Sequence, residues 1–570
     1  MIWIGGSPVA RFKVAAVLAW SVFLLLSFAC SQGQDGKESG SVHDQGEGEF
    51  WNAKIPLPSK PSIENLPDQA KDALNSAYAT LSKGEAGSGL LGEAAKMFHA
   101  HHFESVAAAG YQLAAKKSPD DYQWFHLWGV AAKSLGMDAL AREAFGRAVQ
   151  LNPSYSPSLI EVAEFAYQDG RLDEALQRYQ NILANEPDHV LALWGLGQVY
   201  LAKDAYEEAE TSLERVLALA PGATMVFYPL SQVQAALGET EKAKASLAKR
   251  GDGRPTLSDP LMESVLEMEL SVDGFRRKGD RALGAEAYDV AVTQYRRALE
   301  LDETNMSTRL NLGWAFFLAG DGVAAEVEWQ LVLDRTGEPF LKAKALYNLG
   351  QLARTQAAFE VAAKKFREAL TLHPDFQACR LALAEVLRVS GQFSDALTRY
   401  RALVASYPGD PVARLGRALC LVRTHQYAEA VTVLREDFSA NPEQATFFHM
   451  LIRLLAAAPA DGVRDGKTAL RMVLQLTDQW RVLDSGLAET GAMVLAELGE
   501  FDQAVRMQQR ALAMAKNEGA SSAFQARLLS LLQGYVEKKP CRLPWPDEAE
   551  IFVRPSLKPQ PILEGNGAEN

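Results

Sequence analysis

The chain has 570 residues, 48% hydrophobic and 23% charged, so it is too long for one ordinary core and too apolar for a mostly disordered chain. Lys plus Arg total 58 against 71 Asp plus Glu, a net charge of −13; that balance argues against nucleic acid as the main partner, because phosphate binding needs a basic face. Four cysteines exclude a disulfide-built fold, and 42 Gly with 25 Pro are too few for a collagen-like or low-complexity chain.

Arg11 and Lys13 precede an apolar run over Val14–Ala29, 16 residues long and followed by Cys30. A positive start, a short apolar stretch and a small residue before the cut predict a secretory signal over 1–29. The run is shorter than the roughly 20 apolar residues of a membrane span. Leu26-Ser27-Phe28-Ala29-Cys30 resembles a bacterial lipoprotein cleavage box in its permissive form, with Ser27 and Phe28 departing from the commonest pattern. The resemblance implies lipidation of Cys30. Ser31 in the next place implies sorting to the periplasmic face of the outer membrane, with a soluble periplasmic protein or an inner-membrane anchor as alternatives. Residues 30–60 are rich in Gly, Ser, Gln and acidic residues and then in Pro. They read as a flexible tether reaching about 30 Å.

The rest of the chain repeats one unit. Prolines fall at Pro119, Pro153, Pro187, Pro221 and Pro255, each 34 after the last, and the same step links Pro374, Pro408 and Pro442. Twelve residues before the proline position stands an alanine column: Ala107, Ala141, Ala175, Ala209, Ala243, Ala291, Ala325, Ala362, Ala396, Ala430 and Ala504. Twelve residues earlier lies a second small column, from Ala95 and Gly129 to Ala492. Four residues after each alanine lies a large one, from Tyr111 and Phe145 to Leu434, with Gln508 out of character. Small residues at fixed spacing let two helices approach closely, the large residue fills the space to the next hairpin, and each proline ends a second helix.

This pattern resembles the tetratricopeptide repeat family over roughly residues 88–518. The resemblance implies an all-α fold: a right-handed superhelical solenoid of about eleven or twelve helical hairpins with a concave groove. The expected layout is an N-terminal array over 61–255, an inserted helix or seam over 256–273, a C-terminal array over 274–518, a capping helix over 519–539 and a poorly ordered tail over 540–570. The insertion follows from spacing, since Pro255 to Glu303 is 48 residues, or 34 plus 14. Arg464-Asp465-Gly466-Lys467 and Tyr535 to Arg542 are also similar to segments of large bacterial tetratricopeptide proteins that bring no activity with them.

Function in such a scaffold must come from its surface. Family members that grip a chaperone's C-terminal carboxylate place Lys and Asn in two groove columns, and neither stands here. The matching columns offer His126, Trp194 with Gln198, Tyr228 with Gln232, Trp314, and Tyr347 with Gln351. Aromatic anchors beside amides suit an extended peptide or an amphipathic helix, and also a sugar ring. His99, His101 and His102 read as a polar hairpin end rather than a metal site. Cys379 and Cys420 read as buried thiols with a disulfide open between them, and no haem, zinc, phosphate-loop or serine-elbow motif stands anywhere. The sequence therefore predicts a non-enzymatic protein- or peptide-binding scaffold of the bacterial envelope, without cofactor or metal. The alternative is a scaffold for envelope polysaccharide secretion. Either reading needs the inner wall of the solenoid to be open.

Overall fold

The computed structural model describes residues 56–256, 258–440, 445–480, 484–546 and 549–553. The signal over 1–29, Cys30, the tether up to 55 and the tail from 554 lie outside them. Among the described residues every regular element is a helix. A lone helix comes first, α1 (Asp68–Lys83). Hairpins 1 to 5 follow: α2 (Ser88–Ala100) with α3 (Glu104–Lys117), α4 (Tyr122–Ser134) with α5 (Asp138–Leu151), α6 (Ser156–Gln168) with α7 (Leu172–Asn185), α8 (Val190–Ala202) with α9 (Tyr206–Leu219), and α10 (Phe227–Ala236) with α11 (Thr240–Ala248). The short α12 (Pro260–Leu266) stands between the two groups. Hairpins 6 to 9 are α13 (Val272–Gly284) with α14 (Tyr288–Leu301), α15 (Met306–Leu318) with α16 (Gly322–Arg335), α17 (Pro339–Thr355) with α18 (Phe359–Leu372), and α19 (Gln377–Val389) with α20 (Phe393–Ser406). Hairpins 10 to 12 are α21 (Pro411–Arg423) with α22 (Tyr427–Ala440), α23 (Ala445–Ala457) with α24 (Gly466–Trp480), and α25 (Ser485–Glu497) with α26 (Phe501–Asn517). Then come α27 (Ser522–Val536) and α28 (Glu550–Val553). The chain is an all-α repeat solenoid.

The repeated columns explain the hairpins. Every alanine of the first column is fully buried except Ala243. The second small column is the seat of the large one: a Cβ added at Gly129 would lie 2.8 Å from the Phe145 ring, and one at Gly350 would lie 2.5 Å from Phe366. The large residues also reach the next hairpin, as Tyr179 does under Gly195 and Tyr400 under Gly416. They therefore fill space within their own hairpin as well as beyond it. Gln508 fits for a different reason: it is buried, and its side-chain amide donates to the Leu528 carbonyl at 2.9 Å, fastening α27 onto the stack. Hairpins 1 to 10 and hairpin 12 turn through one left-handed residue standing two places before the second helix, from His102 and Gly136 to Gly499. Glycine is favoured there because it carries no Cβ penalty, yet His102, Asp204, Glu286, Ala357 and His425 hold five of these places.

Stacking carries the second helix of each hairpin against the first helix of the next, with one break: α11 does not pack on α13 as the others do. The break has a local cause. α11 stops at Ala248, leaving Leu247 43% exposed. Residues 251–253 then turn back onto the start of the same hairpin, where Met225 N–H donates to the Gly253 carbonyl at 2.9 Å and Gly251 N–H to the Thr224 carbonyl at 3.2 Å. No side chain fits at Gly253, whose Cβ would fall 2.0 Å from the Gly222 carbonyl oxygen.

Both ends differ from expectation. α1 was not foreseen; Ala70, Leu74, Ala77 and Leu81 bury its inner stripe, and Tyr78 donates to the Pro58 carbonyl at 2.8 Å, so the last residues assigned to the tether are packed. Of the tail over 540–570, the described residues 541–546 and 549–553 are packed. Cys541 and Phe552 are buried, and α28 packs on α19 and α21. Trp545 and Phe552, inside an acidic, Pro-rich stretch, are its apolar anchors, and arginines of the stack hold the Pro544 and Phe552 carbonyls.

Candidate binding surface

First helices of neighbouring hairpins meet one another directly, α6 with α8, α8 with α10, α15 with α17, and α19 with α21, and second helices do not to the same extent. The first helices therefore line the inside of the curve. The residues proposed from sequence divide into two sets on that wall. Trp194 and Gln198 are half-buried, Tyr228 is 50% exposed, and Gln232 is exposed with its amide 3.4 Å from the Tyr228 hydroxyl. These four stand on the neighbouring first helices α8 and α10.

His126, Trp314, Tyr347 and Gln351 do not line an open groove. Trp314 is 1% exposed, donates to the Asn348 side chain at 3.0 Å and packs edge-on against Trp329. Tyr347 packs between Phe366 and Phe376, burial pushes its hydroxyl up to about 12, and Gln351 donates to it at 2.6 Å. The physical reason is convergence. Where first helices close on the inside of the curve, a large side chain in these columns is wedged against the next first helix instead of facing a ligand.

Two segments of the chain itself cover parts of the wall. α12 packs on α2 and α4. Its N-cap Asp259 accepts from the backbone N–H groups of Leu261 and Met262, from Tyr155 Oη at 2.6 Å, and lies 2.8 Å from His126 Nε2. Burial alone would raise the Asp259 carboxyl; the His126 and Tyr155 hydrogen bonds outweigh it and hold it below the usual carboxylate range. Four residues beyond α12, the Leu270 N–H donates to His101 Nε2 at 3.3 Å. At the far end, residues 541–546 and 549–553 lie across the first helices of hairpins 9 to 12. Arg388 donates to the Phe552 carbonyl, Arg453 to the Pro544 carbonyl and Arg527 to the same carbonyl at 3.1 Å. The open inner wall demanded by the sequence reading survives only between these segments.

Ser158, His126 and Asp259 form a hydrogen-bonded row, with Ser158 Oγ 2.8 Å from His126 Nδ1. Ser158 is fully buried, so no acyl group reaches its oxygen, and the row serves to seat α12. The three neighbouring histidines diverge. His99 faces the Tyr111 hydroxyl, and burial lowers it to about 4. His101 is held between Met97 O and Leu270 N–H, and His102 stands in the left-handed turn. Cys379, Cys420 and Cys541 are free, buried thiols. Among the described residues no group of His, Cys, Asp and Glu has the arrangement to hold a metal, and no helix is long and apolar enough to cross a membrane.

Sequence reasoning missed a recurring pair. Wherever a carboxylate stands fifteen residues before a tyrosine of the large column, it accepts from that tyrosine: Tyr179 to Glu164 at 3.2 Å, Tyr295 to Asp280 at 2.7 Å, and Tyr400 to Glu385 at 2.9 Å. The signal was present in the two columns and appears only when they are compared with each other.

Profiles of known families match this chain in several places. Those described as tetratricopeptide repeat match residues 166–227, 276–338 and 381–441, and one described as YpiA-like tetratricopeptide repeats matches 354–407. Superkiller complex protein 3 of Homo sapiens is 35% identical over 97 residues, which is 17% of this chain and 6% of that protein, and the Mus musculus protein is 36% identical over 97 residues. The chain thus spans a small fraction of the curated relatives it matches. Among solved structures, yeast Tom70 aligns at 12% identity with a TM-score of 0.29, covering 79% of this chain and 96% of that one. The P58(IPK) TPR domain aligns at 13% identity with a TM-score of 0.24, covering 82% and 99%. With the twelve hairpins and their buried small columns, the profile matches show that the chain carries tetratricopeptide repeats, which are generally non-enzymatic scaffolds for contacts between proteins.

Proposed function

We propose that the chain is an exported, lipid-anchored scaffold that holds a protein segment on the inner wall of hairpins 4 and 5. One observation carries this reading: Trp194 and Tyr228, with the amides of Gln198 and Gln232, stay accessible on a wall whose two ends are covered by the chain's own segments. Aromatic anchors give area at low entropy cost, and the amides align a peptide backbone. Rigid stacking fixes the spacing of both, so the receptor side loses little freedom on binding.

The anchor is proposed from the resemblance of residues 26–30 to a lipidation box, with the periplasmic face of the outer membrane as its place. A photoreactive group beside Trp194 should crosslink a protein in the native host. Trp194→Ala with Tyr228→Ala should remove that product while helical content is kept, at a cost of about 4 kcal/mol in affinity. A crosslinked glycan with no protein would instead support the polysaccharide alternative. Incorporation of a palmitate analogue into wild type but not into Cys30→Ala tests the anchor.

A further inference from the structure

We infer that residues 541–546 and 549–553 are a ligand held in cis, and that the inner wall of hairpins 9 to 12 is a second peptide site. An external segment carrying Trp and Phe seven residues apart takes this site by displacing the chain's own. The site is separate from Trp194 and Tyr228 and does not depend on the reading given to them.

The argument begins with the arginines. Arg388 is fully buried, and its guanidinium donates to Glu385 Oε1 at 2.9 Å and to the Phe552 carbonyl. Arg453 is also buried and donates to Glu489 Oε2 at 2.6 Å, to Thr490 Oγ1 at 3.1 Å and to the Pro544 carbonyl. Each charge is therefore answered by a carboxylate of the wall itself. What remains for the segment is a donor aimed at a main-chain carbonyl, which reads backbone and not side-chain identity.

Side-chain identity is read by rings. The Arg453 guanidinium lies 5.3 Å from the Trp545 ring, and the Arg423 guanidinium 5.3 Å from the Phe552 ring, which is 1% exposed. The two rings also meet edge-on at 5.9 Å. Carbonyl capture plus one buried and one half-buried aromatic anchor is how a wall recognises a separate peptide, and nothing in it uses the covalent link to α27. Because Glu385 and Glu489 stay behind, departure of the segment leaves paired arginines rather than bare buried charges. A segment that merely plugged a hole would not need such compensation.

The test uses a fluorescent peptide with the sequence of residues 542–553. Full-length chain carrying Trp545→Ala and Phe552→Ala should bind it at least tenfold more tightly than wild type, because the weakened internal segment no longer competes. Equal affinity for both chains, or no binding to either at 1 mM, overturns the inference. Should the double variant lose its helical signal, the wild type decides. Unlabelled peptide at 1 mM should then speed hydrogen exchange at residues 549–553 and leave hairpins 1 to 5 unchanged, and unaltered exchange at 549–553 overturns the inference equally. Trp194→Ala with Tyr228→Ala should keep this peptide binding, so failure here and failure of the hairpin 4 and 5 site are told apart.

Discussion

Glu385 answers the fully buried Arg388 through Oε1 and, through Oε2, accepts from the Tyr400 hydroxyl. Removing it by Tyr400→Phe leaves Glu385 short of one donor in a dry environment, and the chain should lose about 1–3 kcal/mol in urea denaturation. Gly313 makes the complementary case for space. A Cβ there would stand 2.3 Å from Trp329 Nε1, and that ring is fully buried. Gly313→Ala should therefore cost about 1–3 kcal/mol, through displacement of a ring that has nowhere to go. His99 sets a pH dependence. Burial lowers it from 6.5 to about 4, so between those values the unfolded chain binds the proton and the folded chain does not. Stability from this site is complete above about pH 6.5 and falls as pH drops toward 4, by an amount on the order of 3 kcal/mol. His99→Gln should flatten that part of the curve when melting is followed from pH 7 to 4.

At the scale of elements, the short α12 matters more than its seven residues suggest. Asp259 caps it and at the same time holds His126 and Tyr155 on the wall of hairpins 2 and 3. Asp259→Ala should strip the cap and leave the buried His126 and the half-buried Tyr155 without an acceptor, costing about 3 kcal/mol. Cleavage by a protease within residues 250–273 should rise well before the hairpins melt. The hairpin turns offer the opposite sign. Ala357 stands at φ 57°, a conformation that penalises any Cβ, and no hydrogen bond in the turn needs its side chain. Ala357→Gly should leave the structure unchanged and raise stability by about 0.5–1 kcal/mol, read from the midpoint of denaturation.

For the described chain as a whole, stability is a sum over hairpins and the contacts between neighbours, and one neighbour contact is weak. α11 does not pack on α13, while the insertion ties hairpins 1 and 2 to hairpin 6 through His101 on one side and through Lys278 and the Glu269 carbonyl on the other. Unfolding should therefore show two transitions rather than one. Trp329→Ala, which empties a core site in hairpin 7, should lower the transition of hairpins 6 to 12 by about 3–5 kcal/mol and leave hairpins 1 to 5 in place, as hydrogen exchange resolved by segment would record.

The hairpins and their number were legible in the sequence, because each depends on small and large residues a fixed number of places apart along one chain. The left-handed turns kept their places even where glycine was absent, since the two helices on either side impose them. The candidate surface was legible in part. Trp194 and Tyr228 lie where the columns put them, but His126, Trp314, Tyr347 and Gln351 occupy equivalent columns and are covered. Their fate rests on how closely neighbouring first helices converge, and on segments 133 and 163 residues away that come back to the wall, Asp259 upon His126 and Ile551 upon Arg388. A local period specifies what each hairpin is; contacts between residues distant in the chain decide which faces stay open, and no spacing within a 34-residue unit encodes them.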